Sequence, residues 1–235
     1  MVADCDRRKA WDREYSEVRA YTTSYRADLD RSVDFLLAYL RSRQEPLPEP
    51  ILDCGCGIGR NALPLARAGH EVIGLDLSDV ALERLQEVVV AEGHSSRLSL
   101  RQHDLSEPLP LADGSIGTVL DVTAVDNLVE PEERLRYGSE VGRVLRPGGL
   151  ALVVTFALED GYYGSWLSAS RRGRPQVVQD PHTGIHNQLF THASLDAVFL
   201  PHLQREVMAA LVFVDEAAGG EWVRRFLLHL YRRPG

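Results

Sequence analysis

The pattern of hydrophobic positions changes at a proline-rich stretch, residues 44–50 (QEPLPEP). Before this stretch, four apolar residues recur at helical spacing: Val33, Leu36, Leu37 and Leu40. The spacing predicts that residues 10–43 are helical, and the prolines cannot continue a helix. The chain is therefore predicted to consist of an N-terminal helical cap, residues 1–45, and a main domain, residues 46–235.

Beyond the prolines, short apolar runs alternate with stretches that carry helix signals. The runs predict five strands: Ile51–Cys54, Glu71–Leu75, Leu98–Gln102, Ile116–Val122 and Leu150–Phe156. Helices are predicted between them from Gly69 after a helix end, Ser78 at a helix start and Pro131 in a first turn, the last of these helices running through Arg146. This alternation is typical of an α/β fold with a doubly wound, mostly parallel sheet.

The alternation stops after the fifth strand. Residues 157–192 are rich in aromatic residues and histidines and are predicted to form an insertion. A helix over Thr191–Leu200 and two further strands, Glu206–Val214 and Val223–Arg232, are predicted to follow it. The two strands are expected to form an antiparallel hairpin at the edge of the sheet, which gives a seven-stranded sheet in all.

Composition restricts the compartment and the partners of the protein. The 235 residues suit one α/β domain with additions, and the formal net charge of -8 argues against a nucleic-acid partner, because phosphate backbones attract basic surfaces. The three cysteines do not make a disulfide framework. The longest apolar runs have the length of strands, far below the ~20 residues that span a bilayer, and no signal peptide is predicted. We therefore expect a cytoplasmic protein with no membrane partner, and the sequence makes no prediction of its oligomeric state.

A glycine-rich turn follows the first predicted strand, in residues 52–60 (LDCGCGIGR). Glycines let the backbone approach a ligand closely, and the helix that follows presents unpaired N–H groups. Asp76, at the end of the next strand, is placed to accept hydrogen bonds from both hydroxyls of a ribose, which disfavours a purely structural turn. A dinucleotide-binding G-x-G-x-x-G motif would need glycine at position 60. The chain has Arg60 there, so the turn favours a nucleoside with an amino-acid tail.

Several segments resemble the class I S-adenosylmethionine (SAM)-dependent methyltransferases, from about residue 50 to residue 156. Five segments carry the resemblance in the order of that family: Asp53-x-Gly55-Cys56-Gly57-x-Gly59, residues 70–78 (HEVIGLDLS), Asp104, Ile116–Val122 and residues 140–149 (EVGRVLRPGG). The resemblance implies the same Rossmann-like fold, SAM as cofactor and S-adenosylhomocysteine as product.

The resemblance also implies a role for ten residues of this chain. Five would lie at the methionine part of SAM, where Asp53 would either order the turn or contact the ammonium group and Asp121, at the end of the fourth strand, would lie close to the sulfonium: Asp53, Gly55, Gly57, Gly59 and Asp121. Asp76 would hold the ribose, and Asp104 with Leu105 would hold the adenine. Cys56 and Leu77 would also contact the cofactor.

Aromatic residues flank the expected mouth of this site on two sides. Four lie in the N-terminal cap, which resembles the lid of many small-molecule methyltransferases: Trp11, Tyr15, Tyr21 and Tyr25. Three lie in the insertion, where that family shapes its acceptor pocket: Tyr162, Tyr163 and Trp166. Tyr21, Tyr25 and the three insertion aromatics are predicted to contact the substrate. The insertion aromatics have an alternative role as a small core of the insertion itself, and both readings stay open here.

Two histidines in the insertion are candidates for chemistry. His186 is predicted to act as a general base or to contact the substrate. His182 and His186 are four residues apart, a spacing that can ligate a metal on a helix. Pro181 and Gly184 make a helix unfavourable there, so no metal site is predicted.

The sequence therefore predicts a methyltransferase that transfers the methyl group of SAM to a small molecule, such as a secondary metabolite, by in-line displacement. Three alternatives remain. The fold also suits a SAM-binding enzyme that catalyses an elimination or a cyclisation, and a non-catalytic partner subunit of a methyltransferase. An NAD-dependent oxidoreductase is disfavoured by Arg60.

Overall fold

The computed structural model of the protein describes residues 4–17, 28–169, 176–217 and 219–235. These residues form six α-helices: α1 (Asp4–Ser16), α2 (Arg31–Ser42), α3 (Ala62–Arg67), α4 (Asp79–Ala91), α5 (Pro131–Val144) and α6 (His192–Phe199). They form nine strands: β1 (Ile51–Cys54), β2 (Val72–Asp76), β3 (Leu98–Gln102), β4 (Ile116–Val122), β5 (Leu145–Phe156), β6 (Val177–Gln179), β7 (His186–Gln188), β8 (Gln204–Ala217) and β9 (Gly220–Arg232). None of the helices within these ranges is long and apolar enough to span a bilayer.

Seven strands form one sheet in the order β3-β2-β1-β4-β5-β9-β8. β1 to β5 run parallel, and Leu52 in β1 lies opposite Ile73 in β2 and Val119 in β4. β9 lies antiparallel between β5 and β8. The predicted doubly wound, mostly parallel sheet of seven strands, with the C-terminal hairpin at its edge, is confirmed.

Helices cover both faces of the sheet, so the central strands are buried on both sides. α2, α3 and α4 pack on one face, and α5 and α6 pack on the other. Alternate residues of β5 face the two layers: Leu152 and Val154 point to the first, and Ala151 and Val153 point to the second. Strands that are buried in this way give continuous apolar runs in the sequence, as residues 150–156 of β5 do. Each fully buried leucine or valine side chain stabilises the folded state by about 1.5–3 kcal/mol relative to an exposed one.

The winding of the sheet reverses between β1 and β4, which are neighbours although β2 and β3 come between them in sequence. In open α/β sheets, ligands bind in the crevice at the carboxyl ends of the strands at such a reversal. The topology therefore places a site beside the residues that follow β1 and β4.

The N-terminal cap contains two described helices. Asp30 begins the second, α2, because its Oδ1 accepts a hydrogen bond from the Ser32 N–H at 2.9 Å. An aspartate in this position caps a helix and marks a new start. The prediction of helix over residues 10–43 is therefore wrong in its start and in its continuity. α1 begins at Asp4, and residues 18–27 lie outside the described ranges.

The junction of α5 and β5 also differs from the sequence prediction. Leu145 pairs with Ile116 in β4, so β5 begins there, five residues before the predicted start at Leu150. The helix accordingly ends at Val144 and does not reach Arg146. Strand pairing of Leu145, which depends on a distant partner, overrides the helical pattern in this segment.

The insertion contains a small sheet that the sequence analysis did not predict. β6 and β7 pair antiparallel, with Val178 opposite Asn187. A 3₁₀ helix over Tyr163–Ala169 precedes them. Strands of three residues are too short to show an alternating pattern, which is why no strand was predicted there.

Candidate functional site

An open cavity of about 920 Å³ lies at the carboxyl ends of the strands at the reversal, beneath α1. This volume includes space that is open to solvent. Seven of the ten residues predicted to hold the cofactor line it: Gly55, Cys56, Gly57, Asp76, Leu77, Asp104 and Leu105. The topology thus brings together residues from the turns after three different strands.

The glycine turn allows two close approaches that a side chain would prevent. Gly57 has φ 53°, and a Cβ atom there would lie 2.5 Å from the hydroxyl of Tyr15 on α1. Gly59 has φ 90°, and a Cβ atom there would lie 2.4 Å from Leu85 in α4. Positive φ is costly for residues other than glycine. Gly57 therefore faces the cavity and α1, whereas Gly59 serves the packing of α4 behind the turn.

Asp76 connects the glycine turn with the end of β2. Its Oδ2 accepts a hydrogen bond from the Gly57 N–H at 2.8 Å, and its Oδ1 accepts one from the Ser78 N–H at 2.8 Å. Burial raises the pKa of Asp76 to about 6, so the carboxylate is mostly ionised at neutral pH. A carboxylate offers about four acceptor positions, so Asp76 can also accept from ligand hydroxyls at the cavity wall.

Asp104 lies after β3 and pairs with an arginine of α1. Both of its carboxylate oxygens are 3.0 Å from Arg7 Nη2, and its Oδ1 accepts a hydrogen bond from the Ser106 N–H at 2.8 Å. Arg7 Nη1 reaches Glu133 in α5 at 3.2 Å and the carbonyl oxygen of Asn127 at 3.3 Å. The guanidinium therefore joins α1 to three separate parts of the main domain.

α1 covers the cavity with aromatic side chains. Trp11 and Tyr15 line it, with ring centroids 5.6 Å apart. Farther along the cavity rim, Asp12 Oδ1 accepts a hydrogen bond from the Ser78 hydroxyl at 2.7 Å. Tyr21 and Tyr25, which were predicted to contact the substrate, lie outside the described residues.

Two acids predicted at the methionine part of the cofactor lie behind the cavity wall. Asp53 is 2% exposed, and burial raises its pKa to about 8, so its side chain is mostly protonated at neutral pH. Asp121 is fully buried, and its Oδ1 accepts hydrogen bonds from the Ala124 and Val125 N–H groups at 3.0 and 3.1 Å. Burial raises the pKa of Asp121 to about 6. Both side chains order turns that line the cavity.

The aromatic cluster of the insertion surrounds a cation of the protein itself. The Arg224 guanidinium lies 5.2–5.5 Å from the centroids of four rings: Phe156, Tyr162, Tyr163 and Phe226. Arg224 Nε also pairs with Asp160 Oδ2 at 2.9 Å, and both residues are buried. Trp166 packs at the edge of Tyr162, 6.4 Å between centroids. This packing favours the reading of the three predicted aromatics as a core of the insertion.

His186 does not line the cavity, but its backbone contacts Asn127, which does. Asn127 lines the cavity, and its Nδ2 donates hydrogen bonds to the His186 carbonyl oxygen at 3.3 Å and to Asn187 Oδ1 at 2.9 Å. The imidazole of His186 is half-buried. His182 is exposed in the turn before it, and no group of three or more histidine, cysteine or acidic side chains in the described ranges is arranged to hold a metal ion.

Sequence reasoning missed several residues that line the cavity, above all Arg7, His103 and Asn127. His103 directly follows β3 and precedes Asp104, so its position after a parallel strand was a usable signal. Arg7 and Asn127 meet across 120 positions of the chain. Such a contact depends on how α1 packs, and the residue types alone do not indicate it.

Comparison with known proteins agrees with this geometry. Residues 51–149 match the profile of the methyltransferase domain family. The chain is 31% identical over 119 residues to a probable SAM-dependent methyltransferase of Mycolicibacterium smegmatis, which covers 51% of this chain and 42% of that protein. It is 32% identical over 114 residues to a probable tocopherol O-methyltransferase of Oryza sativa. The aligned segment covers 48% of this chain and 30% of that protein.

Comparison with solved structures shows that the similarity in fold extends over most of the chain. A SAM-dependent methyltransferase of Methanosarcina mazei superposes with a TM-score of 0.71 and 22% identity, over 88% of this chain and 100% of that one. The sequence matches, in contrast, span less than half the length of the two curated relatives. The match to the domain family, residues 51–149, includes the residues that line the cavity except those on α1.

Proposed function

We propose that this chain, which carries the domain and the fold of the class I SAM-dependent methyltransferases, transfers the methyl group of SAM to a small-molecule acceptor. The acceptor atom attacks the methyl carbon in line with the sulfur, the carbon–sulfur bond breaks, and its electron pair stays on sulfur to give S-adenosylhomocysteine. An acceptor that carries a proton must lose it to a base or to water. The chain's main contribution is to hold the two reactants in line.

One observation carries the cofactor assignment: the carboxylate of Asp76, tied to the Gly57 N–H, faces the cavity at the reversal of the sheet. In this proposal Asp76 and Leu77 hold the ribose, Asp104 and Leu105 hold the adenine, and the glycine turn contacts the methionine part. Asp53 and Asp121 act from behind the wall, because their side chains bond the turns.

The acceptor is proposed to enter on the side of Asn127, where the insertion meets the cavity. The cavity lies at the reversal of the sheet, where open α/β sheets bind small ligands, and the Oryza sativa relative is named as a probable tocopherol O-methyltransferase, which acts on a small molecule. His186, which is joined to Asn127 at this junction, is proposed to act as a general base for the acceptor or to contact it. The formal net charge of -8 supports a partner other than nucleic acid.

Calorimetric titration with SAM and with S-adenosylhomocysteine tests the cofactor assignment first. Micromolar binding of both is the expected result, followed by methyl transfer from labelled SAM to members of a panel of phenols, amines and thiols. Binding without transfer to any acceptor would favour the elimination or cyclisation alternative. Binding of neither compound would overturn the proposal and favour a non-catalytic partner subunit.

A further inference from the structure

Arg7 is the residue that ties α1 to the far wall of the cavity. Its Nη2 lies 3.0 Å from both oxygens of Asp104, and its Nη1 lies 3.2 Å from Glu133 Oε2 and 3.3 Å from the Asn127 carbonyl oxygen. Asp104 follows β3, Asn127 follows β4, and Glu133 belongs to α5. One guanidinium thus joins α1 to the turn after β3 and to the segment that runs from the end of β4 into α5.

These contacts hold α1 against the cavity without filling it. Arg7 is part of the cavity wall, and about 920 Å³ remain open beside it. The side chains of Arg7 and Asp104 are 17% and 10% exposed, so water screens their interaction only in part. Hydrogen bonds between a guanidinium and a carboxylate are stronger than those between neutral groups. The closed position of α1 is therefore compatible with a ligand in the cavity.

Two residues of α1 are linked to the two acids that are proposed to hold the nucleoside. Arg7 contacts Asp104 directly. At the other end, Asp12 accepts a hydrogen bond from the Ser78 hydroxyl, and the Ser78 N–H donates to Asp76. Closure of α1 and the placement of both acids are thus linked through hydrogen bonds.

We propose that Arg7 is a positioning residue that latches α1 over the nucleoside of the cofactor and acts through Asp104. This inference rests on the proposed SAM site. SAM or S-adenosylhomocysteine can leave only after the contacts of Arg7 break, so Arg7 sets the rate of cofactor dissociation. Because the latch lies at the adenine end, its loss affects SAM and S-adenosylhomocysteine by the same factor.

The test compares dissociation of S-adenosylhomocysteine and of SAM from the wild-type protein and three variants: Arg7→Ala, Arg7→Lys and Arg13→Ala. Arg13 is the matched control, because it is an exposed arginine on the same helix. Dissociation is followed by stopped-flow tryptophan fluorescence, with Trp11 in the cavity wall as the reporter. Circular dichroism and the urea midpoint check that each variant is folded.

Arg7→Ala is expected to raise both dissociation rate constants about 10- to 100-fold, since it removes charge-assisted hydrogen bonds. Arg7→Lys should restore part of the loss because it keeps the charge, and Arg13→Ala should behave as wild type. Unchanged or slower dissociation from a folded Arg7→Ala protein would overturn the latch and leave the SAM site standing. Absence of binding to the wild-type protein would overturn the SAM site itself, and the latch with it.

Discussion

Charged residues have different roles in two regions of the molecule. One region is the cavity wall that faces the proposed cofactor, and the other is the insertion on the other side of the cavity. In the cofactor wall, Asp76 and Asp104 are bonded to nearby backbone N–H groups and still face the cavity. At the insertion, Asp160 pairs with Arg224 of β9 in the interior, beneath aromatic rings. The first arrangement presents charge to a ligand, and the second uses charge to hold the protein together. Residue types alone do not distinguish the two.

The largest effect is expected from breaking the buried pair of the insertion. Asp160→Ala leaves the Arg224 guanidinium buried without its carboxylate, which should lower the free energy of unfolding by about 3–5 kcal/mol. Urea denaturation measures it. Arg67→Ala is the matched control, because its pair with Glu92 is exposed and screened by water, so the free energy of unfolding should change far less than in Asp160→Ala.

The contrast between the two regions predicts that Asp160→Ala leaves cofactor binding unchanged. If the insertion charges serve the fold alone, the folded fraction of Asp160→Ala should bind S-adenosylhomocysteine with wild-type affinity. A loss of affinity as large as the loss of stability would show that Asp160 also shapes the cofactor wall.

Asp76→Ala is the converse change, in the cofactor wall. It removes the carboxylate that is proposed to accept the ribose hydroxyls, so SAM and S-adenosylhomocysteine should bind about 1–3 kcal/mol more weakly by calorimetry. The Gly57 and Ser78 N–H groups also lose a partner, so Asp76→Asn, which keeps an acceptor oxygen, is the control for the turn. Unchanged affinity in Asp76→Ala would contradict the ribose assignment.

The same contrast explains how much of the molecule the sequence revealed. Asp76 and the glycine turn were predictable, because they sit in one strand–turn–helix unit and the next strand, within about 25 residues. The strands β1, β3 and β4 were also predicted with their observed limits. β1 and β4 are buried and give apolar runs, whereas β3 is a mostly exposed edge strand in which only its first residue is buried.

The insertion and α1 were not predictable to the same degree. The partner of Tyr162 and Tyr163 is Arg224, about 60 residues later in the chain, and no local pattern indicates that these rings enclose it. Arg7 likewise meets Asp104 across 97 positions. These contacts form only after the sheet has brought β9 and the turn after β3 into place, so they depend on tertiary packing.

Asp53 either supports the glycine turn from behind the cavity wall or contacts the ligand directly, and its pKa distinguishes the two. Burial raises the folded-state pKa of Asp53 to about 8, above the ~3.9 of an unfolded aspartate. Between these values the folded state binds a proton that the unfolded state has lost, so this group's contribution to stability falls as the pH rises from about 4 to about 8. The slope is at most about 1.4 kcal/mol per pH unit.

Asp53→Asn removes this titration. Relative to wild type, the variant should gain about 1 kcal/mol of unfolding free energy per pH unit between pH 6 and pH 8, a window above the pKa of about 6 for Asp76 and Asp121. Urea denaturation at both pH values measures the difference. Parallel stability curves for the two proteins would mean that Asp53 is ionised in the folded state, in which case direct contact with the ammonium group of SAM becomes the better assignment.

His186→Ala should have the smallest effect on cofactor binding, and it asks whether the insertion takes part in the chemistry at all. Its backbone carbonyl already bonds Asn127 at 3.3 Å, and alanine keeps that carbonyl, so the affinity for S-adenosylhomocysteine should change by less than about 0.5 kcal/mol. Turnover on an acceptor that must lose a proton should fall about 100-fold if the imidazole is the base. An acceptor that is already deprotonated at the assay pH should be methylated at the wild-type rate. Equal slowing on both acceptors would place His186 in the packing of β7, and the insertion would then act on the acceptor through its shape.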